Sequence, residues 1–130
     1  VNENKISVAV VDDDESFARA IGRRLRAAGF GTAVYASAEA FLQRASREPV
    51  NCLVLDVQLG GMSGIELDRR LVETGANIPI VFVTALEDEE HRQEARRIGC
   101  AAYLHKPVSG QILVEAIQNA VQPHTRLKLN

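Results

Sequence analysis

Four short apolar runs in the chain each stop at a polar residue: VAVV before Asp12 and Asp13, CLVL before Asp56, IVFV before Thr84, and AAYLH before Lys106. Aliphatic and β-branched runs of this length, separated by segments with helical spacing, predict parallel strands joined by crossover helices. The first unit extends from Ile6 to about Gly29, a strand followed by a helix with Phe17, Ile21, Leu25 and Ala28 on one stripe. Gly29 suits the left-handed residue that closes it. A weaker strand spans about 31–36, and Ser37 is placed to cap a helix carrying Ala40, Phe41 and Ala45, which Pro49 ends. The third strand is 52–56. Beyond a glycine-rich loop, Ser63 and Glu66 match a capping box ahead of Ile65, Leu67, Leu71 and Val72, with Gly75 as the stop. The fourth strand, 78–83, precedes a helix whose first turn is acidic (Glu87 to Glu90) and whose last turn is basic (Arg96, Arg97), an order that complements the helix dipole; Gly99 follows. The fifth unit is a strand over 101–106, then Pro107, then a helix over 109–121. Its apolar face is expected to hold Ile112, Leu113, Ala116, Ile117, Ala120 and Val121, with Pro123 as the stop.

Five strand–helix units in series predict a doubly wound α/β sandwich of three layers, because right-handed crossovers place helices on both faces of a parallel sheet. A five-stranded sheet in the order 2-1-3-4-5 would set strands 1, 3, 4 and 5 side by side. Those are the strands with polar ends, so all four ends would lie on one rim, where open parallel sheets bind ligands.

Composition narrows the picture without changing it. A chain of 130 residues suits one domain with one core. A formal net charge of −2 with 25% charged residues gives no overall field toward nucleic acid or membrane. Cys52 and Cys100 lack metal-type or redox-pair spacing and read as buried, reduced thiols, as in a cytoplasmic protein. The opening residues VNENKIS lack the plan of a signal peptide, and no apolar stretch approaches the roughly 18 residues of a membrane span. The tail HTRLKLN is a frayed end or the start of a linker.

Asp12, Asp13 and Asp56 would crowd negative charge on that rim, which a cation or protonation must relieve. Mg²⁺ takes oxygen ligands and commonly binds one or two carboxylates together with phosphate oxygens. Lys106 supplies a point charge and Thr84 a hydroxyl to the same phosphoryl group. A carboxylate can itself accept that group as an aspartyl phosphate, and Asp56, alone at the tip of the central strand, is the expected acceptor. Taken singly, the acidic pair could be a helix N-terminus and Asp56 a turn residue. Their joint placement at four of five strand ends is what points to chemistry.

The stretches VVDDD, LVLDVQLGGMSGIEL, IPIVFVTA and GCAAYLHKPVSGQILVEAI resemble a CheY-like receiver domain of a two-component response regulator, over about residues 5–121, with 122–130 as tail or linker. The resemblance implies the flavodoxin/CheY-like fold and Mg²⁺ (or Mn²⁺) bound by Asp13, Asp56 and the backbone carbonyl of Gln58, with Asp12 acting through water. It implies Thr84 and Tyr103 as switch residues, Lys106 as counter-charge, and a cis Lys106–Pro107 bond. A histidine kinase or phosphotransfer protein would be the donor. The first helix would help dock it, although its Arg19, Arg23 and Arg26 stripe, with Arg24 nearby, reads first as a solvated helix face. The face of helix 4, strand 5 and helix 5, presenting residues such as Arg92, Arg96 and Gln111, would be the output surface or a homodimer contact. An output domain beyond this chain is expected, and direct nucleic-acid binding by this domain is not.

One departure stands out. Receiver domains usually carry a proline four residues after the acceptor, whereas this chain has Gly60–Gly61, which are expected to loosen the loop. Leu86, an apolar residue flanking the site, is expected to hinder an attacking water. His91 and His124 read as solvent-exposed groups without a role, and His105, next to Lys106 on a strand, is expected to point away from it. A haloacid-dehalogenase-type phosphatase using Asp12 as nucleophile is an alternative, since Asp12-Asp13-Asp14 contains a D-x-D. It lacks a late acidic pair and leaves Asp56 without a task. A receiver that binds partners without phosphorylation is the third reading.

Overall fold

Short strands that are apolar and buried on both faces, rather than any single long apolar segment, build the molecule. The computed structural model describes residues 5–45 and 49–122. Strands β1 (Ser7–Val11), β2 (Gly31–Tyr35), β3 (Cys52–Leu55), β4 (Ile80–Thr84) and β5 (Ala102–His105) alternate with helices α1 (Glu15–Ala27), α2 (Ala38–Ala45), α3 (Gly64–Glu73), α4 (Glu89–Ile98) and α5 (Gly110–Ala120). The strands form one parallel sheet in the order β2-β1-β3-β4-β5, the flavodoxin-like order expected for five units. Val11 pairs with Leu55 and Leu55 with Phe82, so the carboxyl ends of the central strands stay level.

Period-2 alternation divides the core into two layers. Ala9, Val11, Leu53, Leu55, Ile80 and Phe82 face Ala38 and Phe41 of α2, Ile65, Leu67 and Leu71 of α3, and Ala95 of α4. Their neighbours Val8, Val10, Cys52, Val54, Val81 and Val83 face Ala18, Ile21 and Leu25 of α1 and Leu113 and Ile117 of α5. Both cysteines are free thiols; Cys52 is buried and Cys100 half-buried. Burial pushes the Cys52 thiol up to about 12.

Most differences from the sequence reading are local. β4 begins at Ile80 because Pro79 has no N–H for the ladder, although its carbonyl accepts from Leu53 at 2.9 Å. β3 ends at Leu55 and β5 at His105, so Asp56 and Lys106 stand just beyond their strands. Each keeps one backbone bond to the neighbour, Asp56 N–H to Val11 and Lys106 N–H to Thr84. Ala28 is the exposed C-cap of α1, and Ala18 and Gly22 take the buried positions instead. Val72 and Ile112 are 53% and 52% exposed, because the buried pairs Leu67–Leu71 and Leu113–Ile117 turn them outward. His91 is half-buried, its Nδ1 2.6 Å from Oδ2 of Asp88, the α4 N-cap, and so is not a bare surface group. Ala45's side chain, Pro123, His124 and the remaining tail lie outside what is described.

Helices α3 and α4 meet through charge. Arg69 pairs with Glu66 on its own helix and with Glu94 on α4. Beside it Asp68 is 1% exposed, and its Oδ2 has no hydrogen-bond partner among the described residues. Burial pushes its pKa from an ordinary 3.8 to about 6, with Arg69 opposing the shift. The folded state therefore holds the Asp68 proton more tightly than the unfolded chain does. The stabilising contribution is complete below about pH 4 and is lost as pH rises through about 6. Asp68→Leu should raise stability by on the order of 2 kcal/mol at about pH 7.5 and by little at about pH 4. Urea denaturation at both pH values checks this, and an equal gain at both would exclude the carboxylate charge as the cause.

Candidate functional site

Three of the strand ends in the sheet repeat one local device: a side-chain oxygen accepts the backbone N–H two residues further on. Asp12 Oδ1 accepts from Asp14 at 2.9 Å, Asp56 Oδ1 from Gln58 at 3.0 Å, and Thr84 Oγ1 from Leu86 at 3.2 Å. Such turns suit Asp and Thr because their short side chains can mimic a backbone acceptor. Each one fixes a polar side chain where its strand stops. Asp12, Asp56 and Thr84 are 3%, 6% and 0% exposed, so these are oriented, largely dry groups.

The sheet then brings the separate ends together. Carboxylate oxygens of Asp12, Asp13 and Asp56 lie within 4.8 Å of one another. Lys106, carried in by β5, places Nζ 2.9 Å from Asp12 Oδ2 and 3.2 Å from Asp56 Oδ2. Burial raises the Asp12 pKa and Asp56 adds to the rise, while the Asp14 N–H and Lys106 oppose it; the net direction is upward. For Lys106, burial acts to lower the pKa, but its bond to Asp12 and the charges of Asp56 and Asp12 outweigh that and raise it. The ammonium stays charged.

Asp13 is exposed and accepts the Gly60 N–H at 3.2 Å, and Asp14 caps α1 by accepting from Phe17. Phe17 packs against the apolar core as its place on the stripe predicts, and its ring also lies 4.2 Å from Lys106 Nζ. A cation over an aromatic face is attracted by the ring quadrupole. Nothing in the sequence pairs residues so far apart. Tyr103 stands opposite Phe82, with ring centroids 5.7 Å apart, and its hydroxyl is buried without a partner among the described residues. Burial, then the charge of Asp88, raises its pKa. The Lys106–Pro107 peptide is cis. His105 is exposed and Nε2 lies 3.1 Å from the Ala85 carbonyl.

The loop after Asp56, which its two glycines are expected to loosen, is tied to other elements at two points. Gly60 is tied to Asp13, and the Met62 N–H donates to Glu39 Oε2 at 2.9 Å. Glycine is needed again at the start of α3, where a Cβ on Gly64 would come 2.0 Å from the Asp56 carbonyl oxygen. No single stretch of sequence shows these ties, since they join positions 47 and 23 residues apart.

As a donor set, three clustered carboxylates are hard oxygen ligands that fit a small divalent cation. The same group cannot serve a soft metal, which calls for thiolate or imidazole. Among the described residues no helix is long and apolar enough to cross a membrane.

The family model described as response regulator receiver domain matches residues 8–118. Response regulator protein TmoT of Ectopseudomonas mendocina is 31% identical over 130 residues, 100% of this chain and 59% of its own length. Transcriptional regulatory protein FixJ of Rhizobium meliloti is 34% identical over 114 residues, 88% of this chain and 56% of its own. The chain thus spans little more than half of these relatives. Among solved structures, FixJ-N superposes with a TM-score of 0.84 at 33% identity, covering 91% of this chain and 94% of that one. The response regulator StyR does so at 0.83 and 38%, covering 96% and 63%.

Removing the ammonium should expose how much the site depends on it. Lys106→Met leaves Asp12 and Asp56 without their shared cation and should cost roughly 3 kcal/mol at about pH 7.5, the low end for breaking a buried pair. The loss should shrink toward about pH 4, because the Asp12 carboxyl, already raised, protonates first and removes the unpaired charge. Urea unfolding of both proteins across this range measures it.

Proposed function

Because the chain belongs to the response regulator receiver domain family, we propose that Asp56 accepts a phosphoryl group and that this event switches the α4–β5–α5 face. The observation that supports this most directly is the Lys106 ammonium shared by Asp12 and Asp56 on a buried rim. In the transfer, an Asp56 carboxylate oxygen forms a bond to phosphorus as the bond from phosphorus to the donor breaks, leaving an acyl phosphate. The donor is the phosphohistidine of a histidine kinase or phosphotransfer protein; receiver domains of response regulators take their phosphoryl groups from histidine kinases. Catalysis of this kind is mainly positioning and charge neutralisation.

Each residue has a part in that step. Asp12, Asp13, Asp56 and the Gln58 carbonyl would hold Mg²⁺, or Mn²⁺, which when bound supplies positive charge to the phosphoryl oxygens. Lys106 faces the same group with a second positive charge. Thr84 Oγ1 accepts the Leu86 N–H, which leaves its own O–H to donate to a phosphoryl oxygen. Tyr103, whose buried hydroxyl has no partner among the described residues, gains one if its ring turns as Thr84 is drawn to the phosphoryl group. That coupled movement is the link from the rim to the output face. Residues 5–121 form the receiver unit, with 122–130 as a tail or the start of a linker. In the whole protein the switched face acts on an output domain, transcriptional by analogy with FixJ, or on a second copy of the domain. With Asp56 as acceptor, neither a phosphatase built on Asp12 nor an interaction-only domain is required.

Incubation with MgCl₂ and acetyl phosphate, followed by intact mass, should add one phosphoryl group to the wild type and none to Asp56→Asn or in excess EDTA. Label retained by the Asn variant would overturn Asp56 as acceptor. Leu86 is half-buried beside Thr84 and packs against the core. Leu86→Glu should shorten the lifetime of the phosphorylated form several-fold by admitting and orienting water, and an unchanged lifetime would exclude that role for Leu86.

A further inference from the structure

The glycine pair in the loop after Asp56 leaves its backbone with a wide conformational range, yet the loop is bound at two points by carboxylates from two other elements. Gly60 donates to Asp13 Oδ2 at 3.2 Å and Met62 donates to Glu39 Oε2 at 2.9 Å. Glu39 sits in the first turn of α2, a firmly seated helix. Ser37 Oγ accepts the Ala40 N–H at 3.0 Å, Ala38 and Phe41 are fully buried, and the Phe41 ring meets Tyr35 edge-on at 5.5 Å. Gly61 is shaped to this contact. Its φ of +76° is in the left-handed region, and a Cβ there would lie 2.9 Å from Glu39 Oε2. The Met62 N–H is also the largest influence holding the Glu39 carboxyl below the usual carboxylate range, as expected of an acceptor that is ionised in the bond.

We propose that Glu39 is a positioning residue for the cation site, clamping the Gly60–Met62 backbone from α2 so that the Gln58 carbonyl and the Asp13 carboxylate are held ready to ligate. The assignment rests on the cation-dependent phosphoacceptor reading above. Glu39 supplies from another helix the rigidity that a proline would supply within the loop. Release of Met62 frees Gly61 and Gly60, and with them the N–H that orients Asp13. Loss of such outer support typically weakens metal binding by about 10- to 100-fold. Because Glu39 is exposed and meets the loop through a single bond, about 10-fold is expected.

The test uses the whole chain, titrated with MgCl₂ while backbone amide signals are followed by NMR, with hydrogen exchange and urea denaturation alongside. Glu39→Ala should weaken Mg²⁺ binding about 10-fold and speed Met62 amide exchange by a similar factor, with the Ile117 amide in α5 unaffected. Glu39→Gln keeps a carbonyl acceptor and should remain within about 3-fold of wild type. Gly61→Ala, which crowds Glu39 away, should mimic Glu39→Ala. Excess MgCl₂ should restore the maximal rate of labelling by acetyl phosphate in Glu39→Ala, which separates lost positioning from a damaged fold. Wild-type Mg²⁺ affinity and Met62 protection in Glu39→Ala would overturn the proposal while leaving the acceptor role of Asp56 intact. A wild type that binds no Mg²⁺ and takes no phosphoryl group would overturn the phosphoacceptor reading, and this proposal with it.

Discussion

The attraction between one ammonium and two buried carboxylates is the interaction around which this molecule is arranged. Asp12, Asp13 and Asp56 crowd negative charge at one edge of a sheet whose interior is otherwise aliphatic. Such a cluster is repulsive unless a cation offsets it. Lys106 bridges Asp12 and Asp56, and the Phe17 face beneath it favours the charged form from the other side. The order β2-β1-β3-β4-β5 makes this possible by lining up the four strands that end in Asp12, Asp56, Thr84 and Lys106.

Backbone amides do the finer positioning. Asp12, Asp56 and Thr84 each accept an N–H two residues downstream, and Asp13 and Glu39 reach across to a different loop. A carboxylate held by N–H groups is restrained in rotation while keeping its charge. The carboxylates are therefore held in fixed orientations by the backbone around them. Thr84 and Tyr103 differ in kind: a hydroxyl with a donor in hand and a buried hydroxyl lacking a partner among the described residues are groups that gain by moving.

Away from the rim, α3 and α4 carry their own electrostatic tension. Arg69 ties the helices through Glu66 and Glu94, while Asp68 beside it is buried and short of a partner among the described residues. An unpaired buried carboxyl weakens the folded state as it ionises. This lowers the stability of the α3–α4 pair.

The apolar runs VAVV, CLVL and IVFV, the helical spacing between them, and glycines with φ of 99°, 82° and 109° after α1, α3 and α4 were readable because they are local. Side-chain period and backbone sterics act over a few residues, so the five units and the polar strand ends followed from the chain alone. Strand ends blurred where Pro79 removed a donor, and Val72 and Ile112 were misplaced because apolar character does not say which side of a helix meets the sheet. Tertiary structure alone decided that Phe17 would lie under Lys106, that Asp68 would be buried, and that Glu39 and Asp13 would hold the Gly60–Gly61 loop. Those contacts join residues dozens of positions apart, and their strength depends on distance and exclusion of water, which exist only once the sheet has brought the elements together.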